Sequence, residues 1–202
     1  MDVTVESVAR LVVVAACLIQ LAAAVAVLIR EQSVARPEPV ERVGGPVALV
    51  NYVGIAGFVF VGLAVAVTGS GVIGGIGRPL SDALRMTGVG VLGCAGLLSI
   101  WGVRSMGRHL VAPAEVRPDT ELVTVGAFGT VRHPLYDSVL LLWAGASLAL
   151  MSIVMSAGFV ALIPAFYLRA RAEEGLLARH FGDAWTAYAE RVPMLLPRLR
   201  GR

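Results

Sequence analysis

Thirty consecutive residues, Val139 to Leu168, pass without a charge. As one helix they would measure about 45 Å, half as long again as the roughly 30 Å hydrocarbon layer of a bilayer. Two helices folded against each other are therefore expected, with the reversal inside Met151 to Gly158, where Ser152, Ser156 and Gly158 fall. The second arm is expected to run on through Arg169 to Leu177, because the segment keeps helical spacing and needs the length. Pro164 is expected to kink that arm or open a polar gap in it.

Three more apolar runs precede this one. Leu11 to Ile29 is 19 residues without a charge, about the length of a bilayer-crossing helix. Gln20 is its only strongly polar member and is expected to pack against a neighbouring helix, since lipid offers it no partner. The next runs are 46–68 and, starting at Leu84 or Met86, a stretch to Val103. With 57% apolar residues against 15% charged, the chain reads as an all-α polytopic membrane bundle of about five helices. Residues 1–83 are expected to form accessory helices and 84–202 the functional core.

The connections are also legible. Residues 31–45 mix charge with two prolines and a Gly-Gly, which predicts a loop. Residues 69–77 hold five glycines but no Lys-Ser/Thr and no preceding strand, so they predict an interhelical connection rather than a phosphate cradle. Cys17 and Cys94 sit inside apolar runs, without metal-ligand or redox spacing, and no metal site is expected.

All 17 basic residues are arginine, and they flank the apolar runs, which argues against nucleic acid as a partner. With five spans, 14 of them fall on one side and only Arg10, Arg78 and Arg85 on the other. The positive-inside bias then puts the C-terminal tail in the cytoplasm and the N-terminus outside, in a membrane expected to be a bacterial inner membrane. Arg30 and Glu31 follow the first run where a leader would carry a small-residue cleavage site, so that run is expected to be a retained helix.

One polar stretch stands out, ELVTVGAFGTVRHPLY from Glu121 to Tyr136. Pro134 suits the first turn of a helix and biases His133 away from helical angles, so Arg132, His133 and Tyr136 are expected at a helix mouth. In the five-span topology they share a membrane face with Glu173 and Glu174. One reading of this set is a site for a zwitterion, with Arg132 or His133 on a carboxylate and Glu173 or Glu174 on an ammonium or ribose hydroxyls. The other is plain surface pairing of the two glutamates with Arg169, Arg171 or Arg179. Beyond them, Leu176, Leu177, Phe181, Trp185 and Tyr188 predict an amphipathic segment on the membrane surface, with Gly182 between two short helices. Trp101 is placed as an interfacial anchor, and Arg104 and Arg108, at i,i+4, share a face toward the head groups or a site there.

From Trp101 onward the chain resembles the isoprenylcysteine carboxyl methyltransferase family and its bacterial relatives. The likeness rests on Trp101 to Arg108, on Leu122, Val123, Gly126 and Phe128, and on Arg132-His133-Pro134-Leu135-Tyr136. It continues through Glu173, Glu174, Leu177, Phe181, Gly182, Tyr188, Pro193 and Pro197. It implies a membrane-embedded enzyme using S-adenosyl-L-methionine at the cytoplasmic face, with a lipophilic substrate entering from the bilayer. Cofactor contacts would be Leu122, Val123, Gly126, Phe128, Arg132, His133, Pro134, Tyr136, Glu173 and Glu174. Of these, Arg132, His133 and Glu174 would act in catalysis, with Trp101, Arg104 and Arg108 toward the substrate. The chain has Gly126-Ala127-Phe128 where the family often has Gly-Pro-Tyr, and Ser138 where it often has glycine. The acceptor implied is a prenylcysteine-like or isoprenoid carboxylate. A phospholipid or amine N-methyltransferase, an NADPH-dependent membrane reductase and a non-enzymatic packing or transport subunit are the alternatives.

Overall fold

The computed structural model describes residues 4–33, 38–69, 73–107, 115–118 and 120–195, with the backbone alone at residues 28 and 30–33. Arg108, Pro113 and Pro197 lie outside the described residues. The helices are α1 (Val5–Ser33), α2 (Val50–Thr68), α3 (Arg78–Met106), α4 (Pro134–Leu150), α5 (Ile153–Phe181) and α6 (Asp183–Arg191). A 3-10 turn, Pro46–Leu49, leads into α2, and another, Gly126–Gly129, precedes α4. Four helical segments, 5–27, 46–68, 78–106 and 153–181, are long and apolar enough to cross a membrane. Their most apolar windows are only 17% to 33% buried. The remaining surface carries residues such as Leu18, Phe60, Leu97 and Val160, all more than half exposed. An apolar exterior of that extent fits hydrocarbon and not water.

α4, at 17 residues, is the short arm of the expected hairpin. The chain reverses at Met151, with φ 48°, and Ser152 then caps α5 by accepting from the Met155 amide at 3.3 Å. α5 runs 29 residues, past Pro164 and beyond Arg169, as the length argument requires. Gly182, at φ 53°, breaks it from α6, so the tail is one long helix and one of nine residues rather than two short ones.

α3 and α4 pack antiparallel and closest of all, at two glycines. A Cβ on Gly88 would lie 2.9 Å from Ala149 Cα, and one on Gly145 would lie 2.9 Å from the Leu92 amide nitrogen. Only bare backbone fits there. α2 is held on α4 and α5 by Trp143 Nε1 donating to Gly54 O at 2.9 Å and by Phe166 against Gly54. α1 is held on α2 by Arg10 donating to Ala66 O at 3.1 Å and Cys17 Sγ to Phe58 O at 3.6 Å.

Two expectations are corrected. The 31–45 segment is not simply a loop: α1 continues to Ser33, and β1 (Glu41–Arg42) pairs antiparallel with β2 (Glu115–Val116). The pairing closes two connections on each other, and their neighbouring prolines kept strand out of the sequence reading. The apolar face of α6 is taken up within the protein. Trp185, Tyr188 and Val192 pack against Leu122 and against Leu177 and Phe181 at the end of α5, because the break at Gly182 folds α6 back onto them.

Candidate functional site

His133 stands immediately before α4 with φ −126° and ψ 59°, off helical angles as Pro134 demands. Its carbonyl accepts the Tyr136 and Asp137 amides at 3.0 and 3.1 Å, starting the helix. The Arg132 and His133 amides donate to Pro193 O and Met194 O at 2.9 and 3.1 Å. The segment after α6 is thereby laced to the helix mouth.

Glu174 receives two partners on one oxygen. Arg132 Nε donates to its Oε1 at 2.7 Å, and His133 Nε2 lies 3.3 Å from the same atom. Arg132 Nη1 donates to the carbonyls of Ala189, at 2.7 Å, and Val192 at the end of α6, while its guanidinium lies 5.9 Å from the Trp185 ring. Cation, carbonyls and aromatic face together dock α6. Glu173 accepts a short hydrogen bond from the Tyr136 hydroxyl, and its Oε2 is 3.9 Å from His133 Nδ1. The imidazole thus stands between two carboxylates and lies parallel to the Tyr136 ring, 3° between planes.

Arg169 completes the cluster and was not among the sequence-derived site residues. It is 2% exposed; Nε donates to Tyr136 Oη at 2.8 Å, and Nη1 donates to Val47 O and Ala48 O at 3.0 and 2.7 Å. The signal was available, since an arginine four residues before Glu173, on a largely apolar helix, needs inward partners. The surface-pairing alternative fails in its particulars: Arg179 pairs with Glu41 at 2.5 Å, while Glu173 and Glu174 turn inward.

A cavity of about 450 Å³ opens beside this cluster. Leu122, Val123, Phe128, Arg132, His133, Pro134, Tyr136 and Glu173 line it, as the sequence reading grouped them. Glu174 sits behind them, holding Arg132 and His133. Gly126, at φ 63°, packs its backbone on Ser105 and shapes the turn from outside. Tyr188 steadies the wall: burial pushes its phenol up to about 12, so it stays protonated and donates to Phe128 O at 2.7 Å. Trp101 and Arg104 are exposed and do not line the cavity. α1 and α2 do line it, through residues such as Gln20, Ala24, Asn51 and Ile55. Gln20, expected to pack against a neighbouring helix, also lines the cavity.

Residues 84–184, half of the chain, match the phospholipid methyltransferase family model, and the chain belongs to that family. Over 87 residues it is 34% identical to the nickel-cobalt-cadmium resistance protein NccN of Alcaligenes xylosoxydans xylosoxydans, covering 41% of this chain and 39% of that protein. Over 78 residues it is 32% identical to protein-S-isoprenylcysteine O-methyltransferase B of Arabidopsis thaliana, covering 38% of this chain and 40% of that one. The chain therefore spans about two fifths of the length of both relatives. The family match begins in α3, so α1 and α2 stand outside it while still walling the cavity.

Proposed function

We propose that this protein transfers a methyl group from S-adenosyl-L-methionine to the head of a lipophilic acceptor, at the cytoplasmic end of the bundle. The observation that carries the reading is one cavity with two characters. Its polar end holds Arg132, His133, Tyr136, Arg169 and Glu173, and its walls beyond are the apolar faces of α1 and α2. Its volume lies within the range of small-molecule sites, about 300–1,000 Å³.

The donor set fits the cofactor. Arg132 Nη2 has no partner among the described residues and suits a carboxylate, while Glu173 suits an ammonium or ribose hydroxyls. Phe128, Trp185 and the stacked His133–Tyr136 pair supply ring faces. The cofactor supplies a methyl on a positively charged sulfur, so that the acceptor–methyl bond forms as the sulfur–methyl bond breaks.

Arg169 Nη2, likewise without a partner among the described residues, suits an acceptor carboxylate, prenylcysteine-like or isoprenoid. A carboxylate brings its own electron pair, so the chain's contribution is alignment and exclusion of water. Membership of the phospholipid methyltransferase family favours a second acceptor, a lipid amine. An ammonium would first lose a proton, to His133 or to one of the two glutamates beside it.

Calorimetric titration in detergent is expected to show saturable S-adenosylmethionine binding, weakened at least about tenfold by His133→Ala and by Glu174→Gln. No binding by a folded sample would end the proposal, and NADPH binding in its place would turn it toward reduction. Radiolabelled methyl transfer into a lipid extract then separates the acceptors. Label released as a volatile by mild base marks an ester, and stable label marks the amine.

A further inference from the structure

Polar side chains in the helices of this bundle mostly find protein partners. Ser138, Ser147 and Ser156 donate to carbonyls of the preceding turn, and Trp143 donates to Gly54 O. Gln20 of α1 and Asn51 of α2 depart from this pattern. Both are half-buried, both line the cavity, and neither side chain hydrogen-bonds to a described residue. Two unpaired carboxamides in a wall made otherwise of apolar side chains and the Tyr52 phenol disfavour any filling that brings no polar group.

Their depth can be read from the α1–α2 register. Cys17 on Phe58 O and Arg10 on Ala66 O set the helices antiparallel, which puts Gln20 level with Ile55 and Asn51 level with Ala24. The two carboxamides are then about 6 Å apart along the axis. Asn51 is three residues beyond Ala48, whose carbonyl holds Arg169 Nη1 at 2.7 Å. From the polar end inward the order is Arg169, Asn51, Gln20, with one helical turn between steps.

We infer that Gln20 and Asn51 form a carbonyl-recognition subsite in the apolar arm, and that the acceptor's hydrocarbon chain is joined to its head through an ester or amide. A carboxamide NH₂ donates to the carbonyl oxygen, and for an amide the carboxamide oxygen also accepts its N–H. A plain hydrocarbon or prenyl chain leaves both side chains unpaired and is selected against, so of the acceptors named above the subsite favours one with an acyl chain over a prenyl or isoprenoid one. The inference rests on the methyltransferase reading only for the identity of the head group.

The test uses the full chain in detergent and two amphiphiles, O-oleoylglycolate and its ether analogue oleyloxyacetate, which differ by one carbonyl. Native mass spectrometry is expected to show the ester bound about tenfold tighter. In the Gln20→Leu/Asn51→Leu double variant the difference should shrink below about twofold, with S-adenosylmethionine binding retained as the sign of an intact fold. Equal affinity of the unsubstituted protein for the two, a preference that survives in the double variant, or binding of neither overturns the subsite. Absence of S-adenosylmethionine binding by the unsubstituted protein, with the ester preference present there and lost in a double variant of unchanged unfolding midpoint, would instead refute the methyltransferase reading and leave the subsite standing.

Discussion

Tyr136 joins the two halves of the candidate site through one oxygen, accepting from Arg169 Nε and donating to Glu173. Phenylalanine at that position keeps the ring on His133 but leaves the buried Arg169 Nε without an acceptor and Glu173 without its donor. Tyr136→Phe is therefore expected to cost about 1–3 kcal/mol, read as a lowered unfolding midpoint in detergent, and to weaken cofactor binding as well. Were the phenol merely filling space, the midpoint would not move. The residue types at this site were legible early, because Arg132, His133, Tyr136, Glu173 and Glu174 stand out of apolar sequence. Their pairing was not. Spacing permitted Glu173 and Glu174 to take Arg169, Arg171 or Arg179, and it said nothing of Arg132 docking on the last carbonyls of α6.

At the scale of elements, the α3–α4 crossing is where packing tolerance is lowest. A side chain on Gly88 would enter the backbone of Ala149, whereas a Cβ on Gly90, half a turn away, meets nothing within 4 Å. Gly88→Val is expected to destabilise by about 3 kcal/mol or more by forcing the helices apart. Gly90→Ala should be neutral or stabilising by about 0.5–1 kcal/mol, since alanine is the better helix former. Thermal unfolding of the two variants side by side checks both, and equal behaviour would mean that α3 does not approach α4 so closely. The glycines in 88–96 are alike as sequence, and only the crossing separates those that must remain bare from those that face outward. The hairpin, in contrast, followed from length alone, because thirty uncharged residues exceed one crossing.

At the scale of the whole molecule, charge is sorted to the two ends. Arg10 and Arg85 meet on Glu6 and donate to Ala66 O and Ala149 O, in the last turns of α2 and α4, with distances of 2.7 to 3.3 Å. Arg132 and Arg169 lie at the other end, at the start of α4 and beside the turn into α2. Two of the three arginines assigned outside are thus tied to a carboxylate and to helix C-termini, which weakens them further as topological signals. A reporter that fluoresces only in the cytoplasm should be bright when fused after Arg202 and dark when fused before Met1, and the reverse pattern would invert the proposed orientation. Sequence by itself determined the helical, membrane-type architecture, the hairpin, the helix start at Pro134 and the chemical inventory of the site, because run length, proline geometry and isolated charge are local properties. Only the tertiary structure decided that α6 closes over the candidate site, that α1 and α2 wall its cavity, that Arg169 joins it and that Trp101 and Arg104 do not line it. Those outcomes depend on which faces of separate helices meet. A uniformly apolar helix carries little information about which side it turns inward, since lipid and protein satisfy it almost equally well.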